Sequence, residues 1–165
     1  MEANNINNHT NEEIIDYANT SEFMTFVLGK MKYAIELPKI REILTYPEII
    51  TTLPNTSGWV KGLINLRGEV VPILDIRIKF NTGEAIYNDN TAVIAVITED
   101  KRMIGIVVDK VDDVQRLDTS TLAAVSDMGS AIPAKYLKGF VRLTNNQMLV
   151  VMDIESVVHK DELKN

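Results

Sequence analysis

From Phe23 onward, hydrophobic and polar residues alternate or form short β-branched runs, and turn-forming residues interrupt them at short, regular intervals. Alternation with a period of two is typical of β-strands, because successive side chains point to opposite faces. Short strands separated by Gly, Asn and Asp are typical of sandwiches and barrels. The pattern therefore predicts an all-β chain.

The strands of the first half can be placed from their turns. A glycine supplies positive φ at no steric cost, and Gly29 and Gly68 each stand where a strand reverses into the next. The turn-rich segment 53–59 separates the two hairpins. The predicted strands are 23–28, 32–37, 40–44, 62–66 and 70–76.

The second half of the chain repeats the first. Segment 33–43 aligns without gaps with 104–114, and further matches follow in the same order. They pair Leu53-Pro54 with Ile132-Pro133, Lys61-Gly62 with Lys138-Gly139, and Leu74-Asp75-Ile76 with Met152-Asp153-Ile154. A repeat this long, with about five strands per copy, suits two small barrels, which leave few exposed sheet edges. The repeat predicts an internal duplication with barrels at about 23–80 and 91–157, followed by a short C-terminal helix that packs back.

Composition and charge indicate the compartment and the class of partner. Residues 1–22 are Asn-rich and acidic, which predicts a disordered tail and not a signal peptide. A formal net charge of -6 without a basic block disfavours nucleic acid and anionic membranes. No apolar run approaches the roughly 20 residues that span a bilayer. The charge therefore predicts protein partners. The sequence contains no cysteine, which predicts a cytoplasmic protein.

Catalytic and metal-binding signatures are missing from the sequence. It has no P-loop, G-x-G-x-x-G, H-E-x-x-H, G-x-S-x-G or EF-hand spacing. Its two histidines, His9 and His159, stand in the tail and near the C-terminus. Asp109, Asp112 and Asp113 lack the other oxygen ligands of a calcium loop, which favours a solvated strand edge. We therefore predict no enzyme, catalytic residue, metal or cofactor.

Segment 61–77 reads K-G-L-I-N-L-R-G-E-V-V-P-I-L-D-I-R. A hairpin requires only alternating apolar residues and a turn former, so Asn65 and Arg67 are not needed to form it. Alternation places Asn65 and Arg67 on the face opposite the core. An arginine fork beside an amide is suited to gripping a partner's backbone. The alternative is a local ion pair with Glu42 or Glu69, and the two interpretations are compatible.

Pro72 interrupts the apolar run of the same segment. Proline cannot donate to a strand ladder, so this part of the strand is expected at an edge or a bulge. An edge is where another chain can dock.

The sequence G-L-I-N-L-R-G-E-V-V-P-I-L-D-I-R resembles the hallmark segment of the CheW family, the coupling proteins of bacterial chemotaxis. The motifs Y-A-I-E-L-P-K-I-R-E-I, Y-N-D-N-T, G-I-V-V-D and Y-L-K-G occur in family order, and the CheW-like domain would cover 23–165. The resemblance implies two SH3-like five-stranded barrels in tandem around a shared hydrophobic interface. It also implies a non-catalytic, standalone adaptor that couples methyl-accepting chemotaxis receptors to the histidine kinase CheA and is recruited to membrane-bound receptor arrays.

Site residues follow from the resemblance, position by position. Receptor binding would use the groove between the barrels, with Gly62, Asn65, Arg67, Val93 and Val108. Binding of the CheA regulatory domain would use Ile40, Glu42 and Ile43 at one interface, and the loop with Asp127 and Met128 at another. Met128 replaces an aromatic residue common in the family, so that contact is expected to be weaker.

Two other functions compete with this interpretation. The chain could be a small-molecule-binding β-barrel module that uses a barrel mouth. Nucleic-acid binding by SH3-like barrels is disfavoured by the charge and by an aromatic content of only 6%.

Overall fold

A computed structural model describes residues 19–125 and 130–163. Within these ranges the chain forms ten strands and two short helices. The strands are β1 (Thr20–Leu28), β2 (Met31–Glu36), β3 (Ile40–Thr45), β4 (Val60–Leu66), β5 (Glu69–Asp75), β6 (Ala92–Ile97), β7 (Met103–Val108), β8 (Lys110–Asp118), β9 (Leu137–Arg142) and β10 (Met148–Met152). The helices are α1 (Ile76–Phe80) and α2 (Ile154–Val157), and 3-10 turns occupy Leu37–Lys39, Thr119–Thr121, Ala134–Tyr136 and Lys160–Leu163. The predicted all-β class with a short C-terminal helix is confirmed. No helix in the described ranges is long and apolar enough to cross a membrane.

Helix α1 begins where the sequence pattern predicted the end of a strand. Asp75 caps it, because its carboxylate accepts a hydrogen bond from the backbone N–H of Arg77 at 3.1 Å. Asn81, in the left-handed conformation with φ of 52°, ends the helix. Asp153 occupies the corresponding position before α2, where its carboxylate accepts a hydrogen bond from the side chain of Ser156, at 2.8 Å from Oγ, and not from a backbone N–H. The matched Leu-Asp-Ile and Met-Asp-Ile sequences therefore mark one strand-to-helix junction in each copy.

The strands form two five-stranded sheets with the same pattern of pairing. The first sheet has the order β8-β1-β2-β10-β9, and the second has the order β3-β6-β7-β5-β4. In each, an edge strand pairs with an antiparallel hairpin, which joins a second hairpin through one parallel contact. Each strand of the first half therefore has its structural counterpart five strands later, as an internal duplication requires.

Each sheet contains strands from both halves of the chain. The second sheet is one continuous stretch from β3 to β7, whereas the first combines β1 and β2 with β8, β9 and β10. The predicted barrel boundaries at 23–80 and 91–157 therefore do not describe the sheets. The physical reason is that a repeat fixes strand order within each copy, but not which copy supplies the hydrogen-bonding neighbour.

The start of β1 also differs from the predicted boundary of the tail. Thr20 and Glu22 pair with Asp118 and Arg116 of β8, so residues 20–22 are strand and not tail. Residues 1–18 lie outside the described residues. Hydrogen bonding to β8 explains the difference, because this edge strand is distant in sequence.

Among the described residues, the hydrophobic core has three parts. The largest lies between the two sheets and includes Phe26, Tyr33, Ile94, Ile106 and Val150. A smaller cluster covers the other face of each sheet, around Phe23, Ala34, Leu117, Leu149 and Val151 in the first sheet and around Val71, Ile73, Val93 and Val107 in the second. Strands covered on both faces have no polar side, which explains the continuous apolar sequence of β6.

The C-terminal segment packs back onto α1. Glu162 accepts hydrogen bonds from Lys79 at 2.9 Å and from the Tyr136 hydroxyl at 2.8 Å. The Lys79 ammonium lies 4.6 Å from the centre of the Trp59 ring. Burial alone would raise the pKa of Glu162, but these two hydrogen bonds lower it below its ordinary value. The turn at Lys160–Leu163 is thus fixed by a charged pair over an aromatic surface.

Candidate protein-binding surface

The tip of the β4–β5 hairpin is a two-residue turn formed by Arg67 and Gly68. Their φ angles are 52° and 86°, and two consecutive positive φ values are typical of the type I′ turns that match the twist of a hairpin. The Asn65 side chain accepts a hydrogen bond from the Gly68 N–H at 3.0 Å. Asn65 therefore shapes the turn, and Arg67 lies in the turn and not on the strand face where alternation placed it.

Arg67 forms an ion pair that connects two edges of the second sheet. Its Nε lies 2.7 Å from Glu42 Oε1. Glu42 is on β3 and the turn follows β4, and these strands are at opposite ends of the sheet. The local ion pair that the sequence left open is therefore present and helps close the sheet on itself. The Arg67 side chain is still 80% exposed, so a partner can reach the guanidinium.

Edge strand β3 presents an exposed side beside this hairpin tip. Ile43 is 38% exposed, and Arg41 and Thr45 on the same face are also exposed. The alternate residues point inward, with Leu44 packed on the Val71 cluster and Ile40 on the central core. Of the predicted kinase contacts, Ile43 thus lies at the surface, whereas Glu42 is half-buried in its pair with Arg67 and Ile40 is half-buried against the core. Asp127 and Met128 lie outside the described residues.

Three of the predicted receptor contacts are interior. Val93 and Val108 have no exposed surface, and a Cβ on Gly62 would lie 2.2 Å from the Thr51 carbonyl oxygen. Their side-chain positions therefore cannot contact a partner in this structure, which corrects the expected groove. The physical reason is that β6 and β7 are covered on both faces, so neither of their faces is available for docking.

Pro72 lies where one side of β5 lacks a strand neighbour. Parallel pairing with β7 runs from Ile73 to Asp75, so residues 69–72 extend past it. On the other side, Pro72 is opposite Leu63, whose backbone N–H and C=O bond to Thr51 and not to β5. The proline therefore costs the ladder no bond, and the predicted local edge is present.

The sequence interpretation missed a buried charge cluster around Arg77. Arg77 and Asp75 are 1% and 0% exposed, and the guanidinium binds both oxygens of the Asp75 carboxylate at 3.0 and 2.9 Å. Its Nη1 donates to Asp109 Oδ1 at 2.9 Å and to the Ile86 carbonyl at 2.8 Å. The Tyr87 ring covers the guanidinium at 4.9 Å, and its hydroxyl donates to Asp75 Oδ2 at 2.6 Å. Every charge in the cluster is thus paired, which indicates a structural role.

The cluster reaches both sheets. Asp109 lies between β7 and β8, and its second oxygen accepts a hydrogen bond from the N–H of Gly29 in the β1–β2 turn at 2.7 Å. Tyr46, which follows β3, packs against Tyr87 in a tilted arrangement with ring centres 4.6 Å apart. Burial and then the hydrogen bond to Asp75 raise the pKa of Tyr87. The only sequence signal was the D-I-R of segment 61–77, and it gave no indication of the distant Asp109.

A polar cavity of about 340 Å³ lies beside α2 and is lined mainly by charged residues. Lys39 Nζ is 3.1 Å from Glu155, and Lys138 Nζ is 2.6 Å from Glu36. Both lysines of the cavity wall are thus paired with carboxylates, so the cavity offers no unpaired cation to an anionic ligand. Among the described residues, no three His, Cys, Asp or Glu side chains are grouped to hold a metal.

The chain is a small two-sheet β-protein whose exposed edge strand lies beside a hairpin tip, and such an edge is a place where another chain can dock. The chain belongs to the CheW family, because the family model of the CheW-like domain matches residues 22–162. This confirms the resemblance drawn from the hairpin motif.

Individual relatives agree with this assignment. The chain is 37% identical over 142 residues to chemotaxis protein CheW of Klebsiella aerogenes, covering 86% of this chain and 84% of that protein. It is 25% identical over 146 residues to chemotaxis protein CheW of Treponema pallidum, covering 87% and 85%. The crystal structure of the scaffolding protein TtCheW from Thermoanaerobacter tengcongensis superposes with a TM-score of 0.71 at 22% identity, covering 80% of this chain and 83% of that one. That likeness supports the fold.

Proposed function

We propose that this chain is a non-catalytic adaptor that couples methyl-accepting chemotaxis receptors to the histidine kinase CheA, in the cytoplasm at membrane-bound receptor arrays. The observation that carries the proposal is the Arg67–Glu42 pair, which holds the hairpin tip beside edge strand β3 and leaves Arg67 and Ile43 exposed. Family membership and the chemotaxis relatives support the pathway.

The kinase surface of this proposal is the outer side of β3. An edge strand whose exposed face mixes an apolar side chain with charges is suited to a protein partner. Ile43 supplies the apolar contact, Glu42 lies at the rim, and Ile40 supports the strand from below. Asp127 and Met128 would form the second kinase contact.

The receptor surface of this proposal centres on the hairpin tip. Asn65 and Arg67 are its exposed members. Gly62, Val93 and Val108 support it from the interior, where they fix the strands and make no direct contact. The proposal fails if the protein captures neither receptor cytoplasmic fragments nor CheA in a pull-down assay.

Substituting Ile43 with glutamate is expected to abolish CheA binding while receptor binding persists. A charge on the apolar centre of the surface would be desolvated on docking without a partner. Calorimetric titration of each variant with the CheA regulatory domain measures its affinity for the kinase. Val114→Glu is the matched control, because Val114 is the repeat counterpart of Ile43 on edge strand β8 and is 44% exposed. Equal loss of CheA binding in both variants would contradict a kinase surface on β3.

Substituting Arg67 with alanine is expected to reduce receptor capture and leave stability nearly unchanged. An exposed ion pair contributes only about 0 to 1 kcal/mol to stability. Pull-down with receptor fragments and urea unfolding measure the two quantities separately. Arg142→Ala, an exposed arginine on β9 in the second copy, is the control. A large fall in stability with normal receptor binding would show that Arg67 is purely structural.

A further inference from the structure

The two halves of the chain complete each other's sheets. Within a half, the described backbone pairing joins only β1 to β2 and β4 to β5, or their counterparts β6 to β7 and β9 to β10. All other strand contacts run between the halves, namely β1–β8, β2–β10, β3–β6 and β5–β7. A half therefore cannot complete either sheet from its own strands.

We propose that this chain exchanges halves with a second copy of itself, so that the first half of each chain completes its sheets with the second half of the other. The exchanged dimer keeps all four strand contacts between halves, because they are the same contacts made between chains. It differs from the monomer only in the path of the connection. Exchange of identical elements is a low-cost route to a dimer for this reason.

The connection at 81–91 is the hinge of this exchange. It joins α1 to β6, contains no described helix or strand, and is largely exposed and polar. Gly83 has a φ of 145°, a conformation that favours glycine. A surface segment of this kind can change from a reversed to an extended path without disturbing the sheets.

Contacts made by the connection favour the monomer. The Ile86 carbonyl accepts a hydrogen bond from Arg77, and Tyr87 both covers the Arg77 guanidinium and donates to Asp75. These contacts require the connection to fold back beside α1. An extended connection would lose them, whereas the pairing of Arg77 with Asp75 lies within one half and would survive. Ile86 and Tyr87 therefore act as the lock on exchange.

Shortening the connection tests the proposal. Deletion of residues 82–85, between the end of α1 and Ile86, shortens the connection that the reversed path needs, and short hinges favour exchange. Light scattering after gel filtration is expected to give twice the 18.5 kDa mass of one chain. Insertion of Gly-Ser-Gly-Ser after Gly83 is the control and should leave one chain mass. A folded deletion variant that stays at one chain mass overturns the proposal.

Cysteines placed across a seam distinguish exchange from simple association. Glu22 of β1 is opposite Arg116 of β8, and the chain has no cysteine of its own. With Glu22→Cys and Arg116→Cys, oxidation after assembly links a half-exchanged dimer covalently but closes a disulfide within each chain of a side-by-side dimer. A denaturing gel without reductant should show linked pairs for the deletion variant. Separated chains from a dimeric sample would overturn the proposal.

Refolding with the natural connection provides an independent test if the deletion variant does not fold. The double-cysteine protein is refolded under reducing conditions over a range of concentrations and then oxidised. The fraction of chains in disulfide-linked dimers should rise with the protein concentration during refolding. This fraction should be larger in the Tyr87→Ala variant than in the Ile78→Ala variant. Ile78 is the matched control because both side chains are 39% exposed. Single chains at every concentration, or equal shares in the two variants, would contradict half exchange locked by Tyr87.

Discussion

Replacing Arg77 with alanine is expected to lower the free energy of unfolding by about 3 to 5 kcal/mol, as is typical when one partner of a buried ion pair is removed. Asp75 has no exposed surface and would keep its carboxylate in the interior without the guanidinium that binds both its oxygens. Asp109 would lose its cationic partner and keep the hydrogen bond from the Gly29 N–H, and the Ile86 carbonyl would keep only the Thr91 hydroxyl as a donor. Urea unfolding monitored by circular dichroism measures the loss.

Arg67→Ala is the contrasting substitution, because the two arginines differ in burial. Both substitutions remove an arginine that pairs with a carboxylate, but Arg67 is exposed and Arg77 is buried. Arg77→Lys should recover part of the stability, because an ammonium keeps the charge but cannot form the two-pronged contact. If Arg77→Ala cost no more than Arg67→Ala, the cluster would contribute little to stability.

Replacing Gly62 with alanine is expected to cost about 3 kcal/mol or more, because strain and overpacking act together. The φ of Gly62 is 139°, and its Cβ would lie 2.2 Å from the Thr51 carbonyl oxygen. The contact is with backbone, and that backbone is held by a reciprocal pair of hydrogen bonds between Thr51 and Leu63. Thermal and urea unfolding measure the cost.

Two other glycines calibrate this result. Gly139 is the counterpart of Gly62 in the repeat, with a φ of 153°, and its Cβ would lie 2.8 Å from the Ala123 carbonyl oxygen. Its substitution should also destabilise, but less. Gly58 has no atom within 4 Å of the added Cβ, so Gly58→Ala should be nearly neutral. A Gly62→Ala protein as stable as the Gly58→Ala protein would show that the backbone near Thr51 shifts freely.

The local parts of the fold were predictable because local physics determines them. Gly68 marked the hairpin turn, and alternation correctly placed Asn65 away from the core, because its neighbours Ile64 and Leu66 pack against the Val71 cluster. The repeated Asp75 and Asp153 were also visible in the sequence. Their position at the start of a helix, where Asp75 is the cap, is not visible in the sequence, because such a residue and a strand residue look alike in an apolar run.

The remaining parts depend on contacts between distant residues. Val93 and Val108 were expected in a groove because the sequence cannot show that a second layer covers both faces of their strands. The pairing of Arg77 with Asp109 crosses 32 residues of sequence. Alternation places Arg67 on a strand, but in the structure Arg67 lies in the turn. It has a positive φ because it forms this two-residue turn together with Gly68.

The distribution of strands between the sheets has a consequence for synthesis on the ribosome. The second sheet uses 40–108 and can close before the rest of the chain has emerged, whereas β1 and β2 come first and must wait for β10. Until then, Phe23 and Ala34 lack Leu149 and Val151, which complete their core cluster. Pairing between such distant strands is slow, and exposed apolar strands invite aggregation. The hairpin of β1 and β2 in the nascent chain is therefore prone to aggregation until β10 has been synthesised and can pair with β2.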